Sequence, residues 1–189
     1  MAQYKKKARR LGAYIVFVDE SGFLLIPSVR KTWAPKGITP ILTHRYKRDK
    51  VSVISGITIS PLWKRLGLYF RIHTKNIQQA EVVEFLSHLL RHLKGHVIVI
   101  WDNGRPHKGE PIREICRRWK RLHLYAIPSY APELDPDEGV WTQAKGKLAN
   151  GCPDDLDELI EEVMATLRSI KGSQKKLRGC LQQSALQFF

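Results

Sequence analysis

The 189-residue sequence lacks several features that would assign it to a protein class at once. Its longest wholly apolar stretches, such as 14–18 and 97–101, are far shorter than the ~20 residues that a transmembrane helix needs. No apolar segment with a small-residue cleavage site follows the basic N-terminus, so we predict no secretory signal. We therefore expect a protein of the cytoplasm that has no membrane partner.

Cysteine is also scarce, and its placement is informative. The three cysteines are odd in number and far apart, at positions 116, 152 and 180. This pattern matches neither a disulfide framework nor a CxxC metal knuckle. We interpret all three as free thiols.

Acidic residues are few and unevenly distributed. The chain has 32 Lys and Arg against 18 Asp and Glu, which gives a formal net charge of +14. Six of the acids fall within 154–162, so the rest of the chain is strongly cationic. Such a chain attracts polyanions, and nucleic acid is the commonest polyanionic partner. A basic surface that is merely solvated is the alternative.

The apolar patterning predicts a mixed α/β sheet. Runs at 14–19 and 23–26 flank Ser21-Gly22 and suggest a hairpin, and runs at 51–60 and 66–73 suggest a second one. After position 76 the apolar spacing becomes helical, and strands at 96–102 and 122–127 then alternate with helices. This order predicts an antiparallel three-strand meander plus parallel strands, flanked by helices.

The same patterning suggests how the chain is organised. We predict one domain at 13–170, long enough to be a catalytic domain, and a basic N-terminal extension at 1–12. Residues 171–189 form a C-terminal tail for which we expect helix.

Three acids stand where ligand sites commonly form. Asp19 and Asp102 end apolar strands, and Glu138 lies in the first turn of the helix after a third strand. The ends of central strands meet in one crevice, where clustered carboxylates favour a hard divalent cation such as Mg²⁺. Two such ions would suit phosphodiester cleavage.

Each acid has a plainer interpretation. Asp19 and Asp102 precede Ser21-Gly22 and Asn103-Gly104 and fit turns. Asp135, Asp137 and Glu138 fit a helix N-terminus. Spacing alone leaves both interpretations open.

Three segments resemble the DDE transposases of the mariner superfamily, especially its bacterial insertion-sequence branch. They read FVDESGF at 17–23, VIWDNGRPHK at 99–108 and YAPELDPDEGVW at 130–141. The resemblance extends over about 13–150 and implies a ribonuclease-H-like, retroviral-integrase-like fold. It assigns the catalytic and metal-binding roles to Asp19, Asp102 and Glu138, with Mg²⁺ or Mn²⁺, as two ions, as the cofactor.

Some positions near these acids are candidates for auxiliary roles. His107 follows the second acid at the family's spacing, and a structural role is its alternative. Asp135 replaces the family's usual Asn, and Asp137 stands where an apolar residue is common. The motif register favours Glu138 over Asp137 as the third ligand.

Basic side chains suggest where DNA would lie. The arm at 28–50 contributes six of the candidates, and two more follow Asp102; a phosphate contact and a solvated loop are both open for them. The candidates are Arg30, Lys31, Lys36, Arg45, Lys47, Arg48, Arg105 and Lys108. His88 and His92, four residues apart, are a weaker metal-site alternative.

We therefore predict metal-dependent DNA cleavage and strand transfer. The resemblance implies double-stranded DNA, both transposon ends and target, as partner, a homodimer in the synaptic complex and nucleoid association in a bacterium. It also implies that end recognition comes from a separate helix-turn-helix polypeptide or an upstream frame. The alternatives are a nuclease of the same fold without strand transfer and an inactive DNA-binding remnant.

Overall fold

The fold is built on one five-stranded sheet. The computed structural model describes residues 2–26, 28–41, 49–61, 65–128 and 132–186. The strands are β1 (Tyr14–Leu24), β2 (Lys50–Ile59), β3 (Leu66–His73), β4 (Val97–Trp101) and β5 (Leu122–Ala126). Their order across the sheet is β3-β2-β1-β4-β5. The predicted mixed sheet is confirmed: β1, β2 and β3 are antiparallel, and β4 and β5 run parallel to β1.

The predicted hairpin at Ser21-Gly22 is wrong. β1 continues without a turn to Leu24, and Gly22 pairs with Ser52 of β2. The reason is that β2 offers partners along this whole length, so the Ser-Gly pair lies within the ladder rather than at a turn. The second predicted hairpin is confirmed as β2 and β3, although part of its connection, 62–64, lies outside the described residues.

Six α-helices surround the sheet in the described part of the chain. They are α1 (Ala2–Leu11), α2 (Gln79–His92), α3 (Glu110–Arg118), α4 (Asp137–Leu148), α5 (Leu156–Lys171) and α6 (Gln174–Gln183). None of these helices is long and apolar enough to cross a bilayer.

Alternation along the strands produces two apolar cores. Successive side chains of a strand point to opposite faces, so Val16 and Val18 of β1 face one way and Ile15 and Phe17 the other. Val16 and Val18 pack with the apolar faces of α2 and α3. Ile15 and Phe17 pack with α1, α4, α5 and α6. The sheet is therefore covered on both sides, as the apolar run of β4 requires.

Both ends of the chain contribute to the second core. The N-terminal segment, expected as a basic extension, contains α1, whose Tyr4 and Ala8 are buried. The Tyr4 ring centroid lies 6.3 Å from that of Tyr125 on β5. The expected helix in the C-terminal tail is α6, with Leu177 and Cys180 buried, and residues 187–189 lie outside the described part. Cys116, Cys152 and Cys180 are free, as expected.

The contact between α4 and α6 depends on a glycine beside the third candidate acid. A Cβ added at Gly139 would lie 2.8 Å from Cys180 Cα and 2.9 Å from its Cβ. A side chain there must push the two helices apart. The glycine thus sets how closely the helix that carries Glu138 packs against α6.

We predict that Gly139→Ala lowers the free energy of unfolding by about 1–3 kcal/mol, because overpacking forces backbone shifts. Gly179→Ala is the matched control, since this helical glycine has no atom within 4 Å of an added Cβ. Alanine there should raise the free energy of unfolding by up to about 1 kcal/mol. Urea unfolding of the three proteins measures both, and equal effects of the two substitutions would contradict the packing argument.

Candidate active site where the pairing of β1 with β4 ends

The register of the sheet brings two candidate acids together. Val18 of β1 pairs with Trp101 of β4, so Asp19 and Asp102 follow at equivalent points of adjacent parallel strands. Neighbouring strands lie about 4.8 Å apart. The first two acids are therefore neighbours because of strand pairing. The prediction that Asp19 ends a strand is wrong, because β1 continues to Leu24 along β2 and only its pairing with β4 ends at Val18.

Asp19 is mostly buried and held by a side chain from α4. Trp141 Nε1 donates a hydrogen bond of 2.8 Å to Asp19 Oδ2. Burial raises the pKa of Asp19 to about 6, repulsion from Glu20 and Glu138 adds to the rise, and the Trp141 hydrogen bond opposes it. The carboxylate is thus oriented, and its negative charge is costly without a cation.

Asp102 is more exposed and is held by the loop that follows it. The Gly104 amide donates to Asp102 Oδ1 at 2.8 Å, and His107 Nδ1 lies 2.7 Å from the same oxygen. The Asp102 side chain remains 61% exposed. It is therefore fixed in direction and still accessible to a ligand.

His107 connects Asp102 to Glu20 of β1. Its ring stacks on Trp101, with centroids 4.4 Å apart and planes inclined by 2°. Its Nε2 lies 2.8 Å from Glu20 Oε1, while Nδ1 faces Asp102. Burial lowers the pKa of His107, but the contacts with Glu20 and Asp102 outweigh burial and raise it overall. When it is protonated, the imidazole donates from both nitrogens and bridges two carboxylates.

Glu20 is a site residue that the sequence analysis missed. The signal was present, because Glu20 directly follows Asp19 in the FVDESGF segment. What the sequence did not show was its partner, His107, which is 87 residues away.

Asp135 and Glu138 lie on the other side of the same region. Asp135 is buried and accepts a 2.9 Å hydrogen bond from the Asp137 amide at the start of α4. Burial raises the pKa of Asp135, and repulsion from Asp19, Glu138 and Asp102 raises it further. Glu138 is exposed in the first turn of α4. Asp135, the three candidate ligands and the helix start therefore share one negative region.

Asp137 lies in the protein interior beside that region. Its side chain is fully buried, and Ser55 Oγ donates a 3.0 Å hydrogen bond to Asp137 Oδ1. Its Oδ2 has no hydrogen-bond partner. Burial and repulsion from Asp135 and Asp19 raise its pKa well above the usual value. This geometry favours Glu138 over Asp137 as the accessible acid.

The donor chemistry suits a hard cation, although a complete ligand set is not assembled. Carboxylate oxygens are the ligands that Mg²⁺ and Mn²⁺ prefer, and the raised pKa of Asp19 reflects charge that a cation would neutralise. Within the described residues, no three His, Cys, Asp or Glu side chains converge closely enough to hold a metal ion. The shared metal role of Asp19, Asp102 and Glu138 therefore stays a prediction.

The histidine alternative gains no support. The His88 and His92 ring centroids lie 4.3 Å apart with their planes tilted by 46°, and His92 Nδ1 lies 2.8 Å from the His88 carbonyl oxygen. No further metal-ligand side chain joins them in the part of the chain that the structure describes.

Five of the eight candidate DNA-binding bases fall within the described residues, and all five are exposed. The Arg30 amide donates to Asn150 Oδ1 at 2.8 Å, and Asn150 Nδ2 donates to the Arg30 carbonyl at 3.0 Å, so the arm is tied to the end of α4. Arg30, Lys31, Lys36, Arg105 and Lys108 are exposed. Arg45, Lys47 and Arg48 lie outside the described residues. Contact of these bases with DNA stays a prediction.

Comparison with known proteins identifies the family. The model of a family described as DDE superfamily endonuclease matches residues 14–160, well over half of the chain. The chain belongs to the DDE superfamily of endonucleases. No curated protein matches its sequence. Its membership confirms the resemblance to DDE enzymes, while its place in a bacterial insertion-sequence branch stays a prediction.

Solved structures confirm the fold of this DDE endonuclease. The Mos1 transposase paired-end complex with left transposon end matches with TM-score 0.59 and 18% identity, over 97% of this chain and 59% of that one. The catalytic domain of Mos1 mariner transposase matches with TM-score 0.54 and 13% identity, over 98% and 89%. The simian T-cell lymphotropic virus intasome matches with TM-score 0.54 and 13% identity, over 85% and 49%. The ribonuclease-H-like, integrase-like fold is thereby confirmed.

These matches cover only part of the longer Mos1 chain, and their sequence identity is low. The chain spans 59% of the Mos1 chain in the paired-end complex. At these identities the likeness establishes the fold and not the substrate.

The buried Asp137 predicts a pH-dependent stability that an amide would remove. Its raised pKa means that folding takes up a proton at any pH between the usual value of 3.8 and the folded value. Stability is therefore lost as pH rises through this window, by at most ~1.4 kcal/mol per pH unit for one group. Asp137→Asn should flatten this decline and gain stability relative to the parent at pH 8 compared with pH 4.

Urea unfolding in EDTA at several pH values measures the effect. Asp155→Asn is the control, because this acid caps α5 at an exposed position, where Asp155 Oδ1 accepts from the Glu158 amide. Parallel pH profiles for Asp137→Asn and the parent would show that Asp137 is ionised in the fold.

Proposed function

We propose that this chain is the catalytic domain of a transposase, which cleaves DNA at the ends of an element and joins the freed 3′ hydroxyl to target DNA. The observation that carries the proposal is the pairing of β1 with β4, since it sets Asp19 beside Asp102 at the edge that α4 approaches with Glu138. Family membership supports the endonuclease chemistry. The +14 charge supports DNA as substrate.

Asp19, Asp102 and Glu138 would hold Mg²⁺ or Mn²⁺, as two ions. When bound, the ions would supply Lewis-acid stabilisation of the attacking and leaving oxygens of phosphodiester displacement. Structures of the Mos1 paired-end complex with Mn and with Mg support this choice of metal.

The protein's own contribution is orientation. Trp141 directs one oxygen of Asp19, and His107 and the Gly104 amide direct one oxygen of Asp102. Each acid therefore keeps a defined direction before substrate arrives, and such outer contacts tune metal ligands. Burial of Asp19 also keeps bulk water from the inner side of the site.

The partners belong to the same proposal. We infer double-stranded DNA, as element ends and target, a homodimer in the synaptic complex and bacterial nucleoid association. A separate helix-turn-helix polypeptide or an upstream frame would supply end recognition. The Mos1 structures that share the fold include a paired-end complex and a strand transfer complex, which supports the DNA partners.

Removing one ligand charge tests the site. Asp102→Asn and Glu138→Gln should each lower metal-dependent nicking of duplex DNA at least ~100-fold, since a charge is lost from the cation site. Asp137→Asn should nick at close to the parental rate, because that side chain lies in the core. Gel assays of supercoiled plasmid measure the rates, and DNA binding in EDTA checks that each variant keeps its DNA-binding surface.

Three outcomes would count against the proposal. Parental nicking by Asp102→Asn would show that the cation site lies elsewhere. Failure to join pre-cut ends to target DNA would indicate a ribonuclease-H-fold nuclease and not a transposase. DNA binding without Mg²⁺- or Mn²⁺-dependent nicking would indicate an inactive remnant.

Glu20 is a positioning residue in this scheme, because it acts through His107. We predict that Glu20→Ala raises the half-saturating Mn²⁺ concentration about 10–100-fold, since loss of an outer partner weakens ligand orientation. Glu20→Gln should restore most of the affinity, because its amide oxygen still accepts from His107. Metal titration followed by tryptophan fluorescence, to which Trp101 beside His107 contributes, gives a readout that does not depend on turnover.

A control separates orientation from folding. Glu84→Ala also removes an acid that pairs with a base, Arg71, at 2.9 Å, but away from the site. If Glu20→Ala and Glu84→Ala titrate alike, Glu20 has no positioning role.

A further inference from the structure

A large open cleft lies at the other end of the sheet from the acids. It is bounded by the end of β2, the start of β3, the carboxyl ends of α2 and α5 and the start of α6, with a volume of about 680 Å³. Four of its lining side chains carry or can carry positive charge: Arg65, His92, Lys171 and Arg178. Neither the family match nor the candidate active site accounts for it.

The charge of this cleft is of one sign. None of its described lining residues is acidic. Other hollows differ, because one combines Lys145 with Glu162 and another combines Lys50 with Glu20. The cleft therefore differs from these two hollows in having bases without a neighbouring acid in its lining.

The positive charge around the cleft also acts on a neighbouring histidine, His88. Burial lowers the pKa of His88, and repulsion from His92, Arg71, Arg91 and Lys171 lowers it further. Nearby cations thus act on His88 more strongly than any nearby acid does.

The walls of the cleft are fixed by regular structure. The Gln174 amide both accepts from the Leu66 amide at 3.1 Å and donates to the Leu66 carbonyl at 2.7 Å, which ties α6 to the start of β3. The Lys171 ammonium lies 5.4 Å from the centroid of the Tyr69 ring. Lys171 belongs to α5 and Arg178 to α6, so two of the cations stand on packed helices and not on a loop.

The cleft is separate from the scissile-phosphate region. Tyr14, which lines it, precedes Asp19 by five residues along β1. At about 3.3 Å per residue, this places the two regions roughly 16 Å apart along the strand. Duplex DNA carries one charge per ~1.7 Å of axis, so a distance of this size corresponds to several phosphates.

We propose that this cleft binds the phosphodiester backbone of duplex DNA at a point remote from the phosphate that is cut. Arg65, Lys171 and Arg178 contact phosphate oxygens, and the cleft contributes affinity without reading sequence. The choice of DNA over another polyanion rests on the proposed function.

The test uses the full chain carrying Lys171→Gln with Arg178→Gln, and binding is measured in EDTA. Affinity for a 40-base-pair duplex should fall roughly tenfold at fixed salt, and the slope of log K against log salt should become shallower by about 2, one unit per lost phosphate contact. Lys6→Gln with Arg10→Gln, two exposed bases on α1, is the charge-matched control. Thermal unfolding checks that both variants fold.

The outcomes are separable. Parental binding by the cleft variant, or an equal loss in the control, overturns the proposal, because general charge then explains the affinity. If inorganic tripolyphosphate binding is lost in the cleft variant while DNA binding is unchanged, the cleft takes a free polyphosphate and the DNA assignment is wrong. Weaker DNA binding supports the cleft even if the parent never cuts DNA, and in that case only the proposed function fails.

Discussion

The rest of the structure depends on the two-sided pairing of β1. This strand is antiparallel to β2 on one edge and parallel to β4 on the other, so it joins the meander to the α/β part of the sheet. Its alternating side chains divide the apolar residues between the two cores. The same pairing sets Asp19 beside Asp102. A shift of one residue in the β1–β4 register would turn every β1 side chain to the opposite face and would separate the acids.

The candidate site illustrates how a fold holds like charges together. Asp19 and Asp135 are buried near each other, which disfavours their ionised forms. Contacts from other elements offset part of the cost of ionising these acids. Trp141 of α4 donates to Asp19, and His107 contacts both Glu20 and Asp102. The close packing of Gly139 against Cys180 fixes the position of α4, the helix that carries Trp141. The stability of the fold and the geometry of the site are thus linked through one helix.

Much of the fold was predictable because it follows from local patterns. The runs of β2, β3, β4 and β5 and the helical spacing of α2 gave the element order of a mixed sheet. The turn predicted at Ser21-Gly22 does not form, because a local turn preference is weaker than pairing with a long neighbouring strand. The packing of α1 did not follow from the sequence either, because its buried Tyr4 and Ala8 stand among five Lys and Arg residues.

The sequence by itself determined which residues are apolar enough to form the central strands, and it placed Asp19, Asp102 and Glu138 in recognisable motifs. Only the tertiary structure decided that Asp137 is buried in the core while Glu138 is exposed, and that Glu20 and His107 meet. It also decided that Arg65, Lys171 and Arg178, which are far apart in the sequence, line one cleft. The physical reason is the separation along the chain over which each effect acts. Hydrophobic periodicity acts between residues a few positions apart, whereas the direction of a helix face and the meeting of distant side chains follow from how whole elements pack.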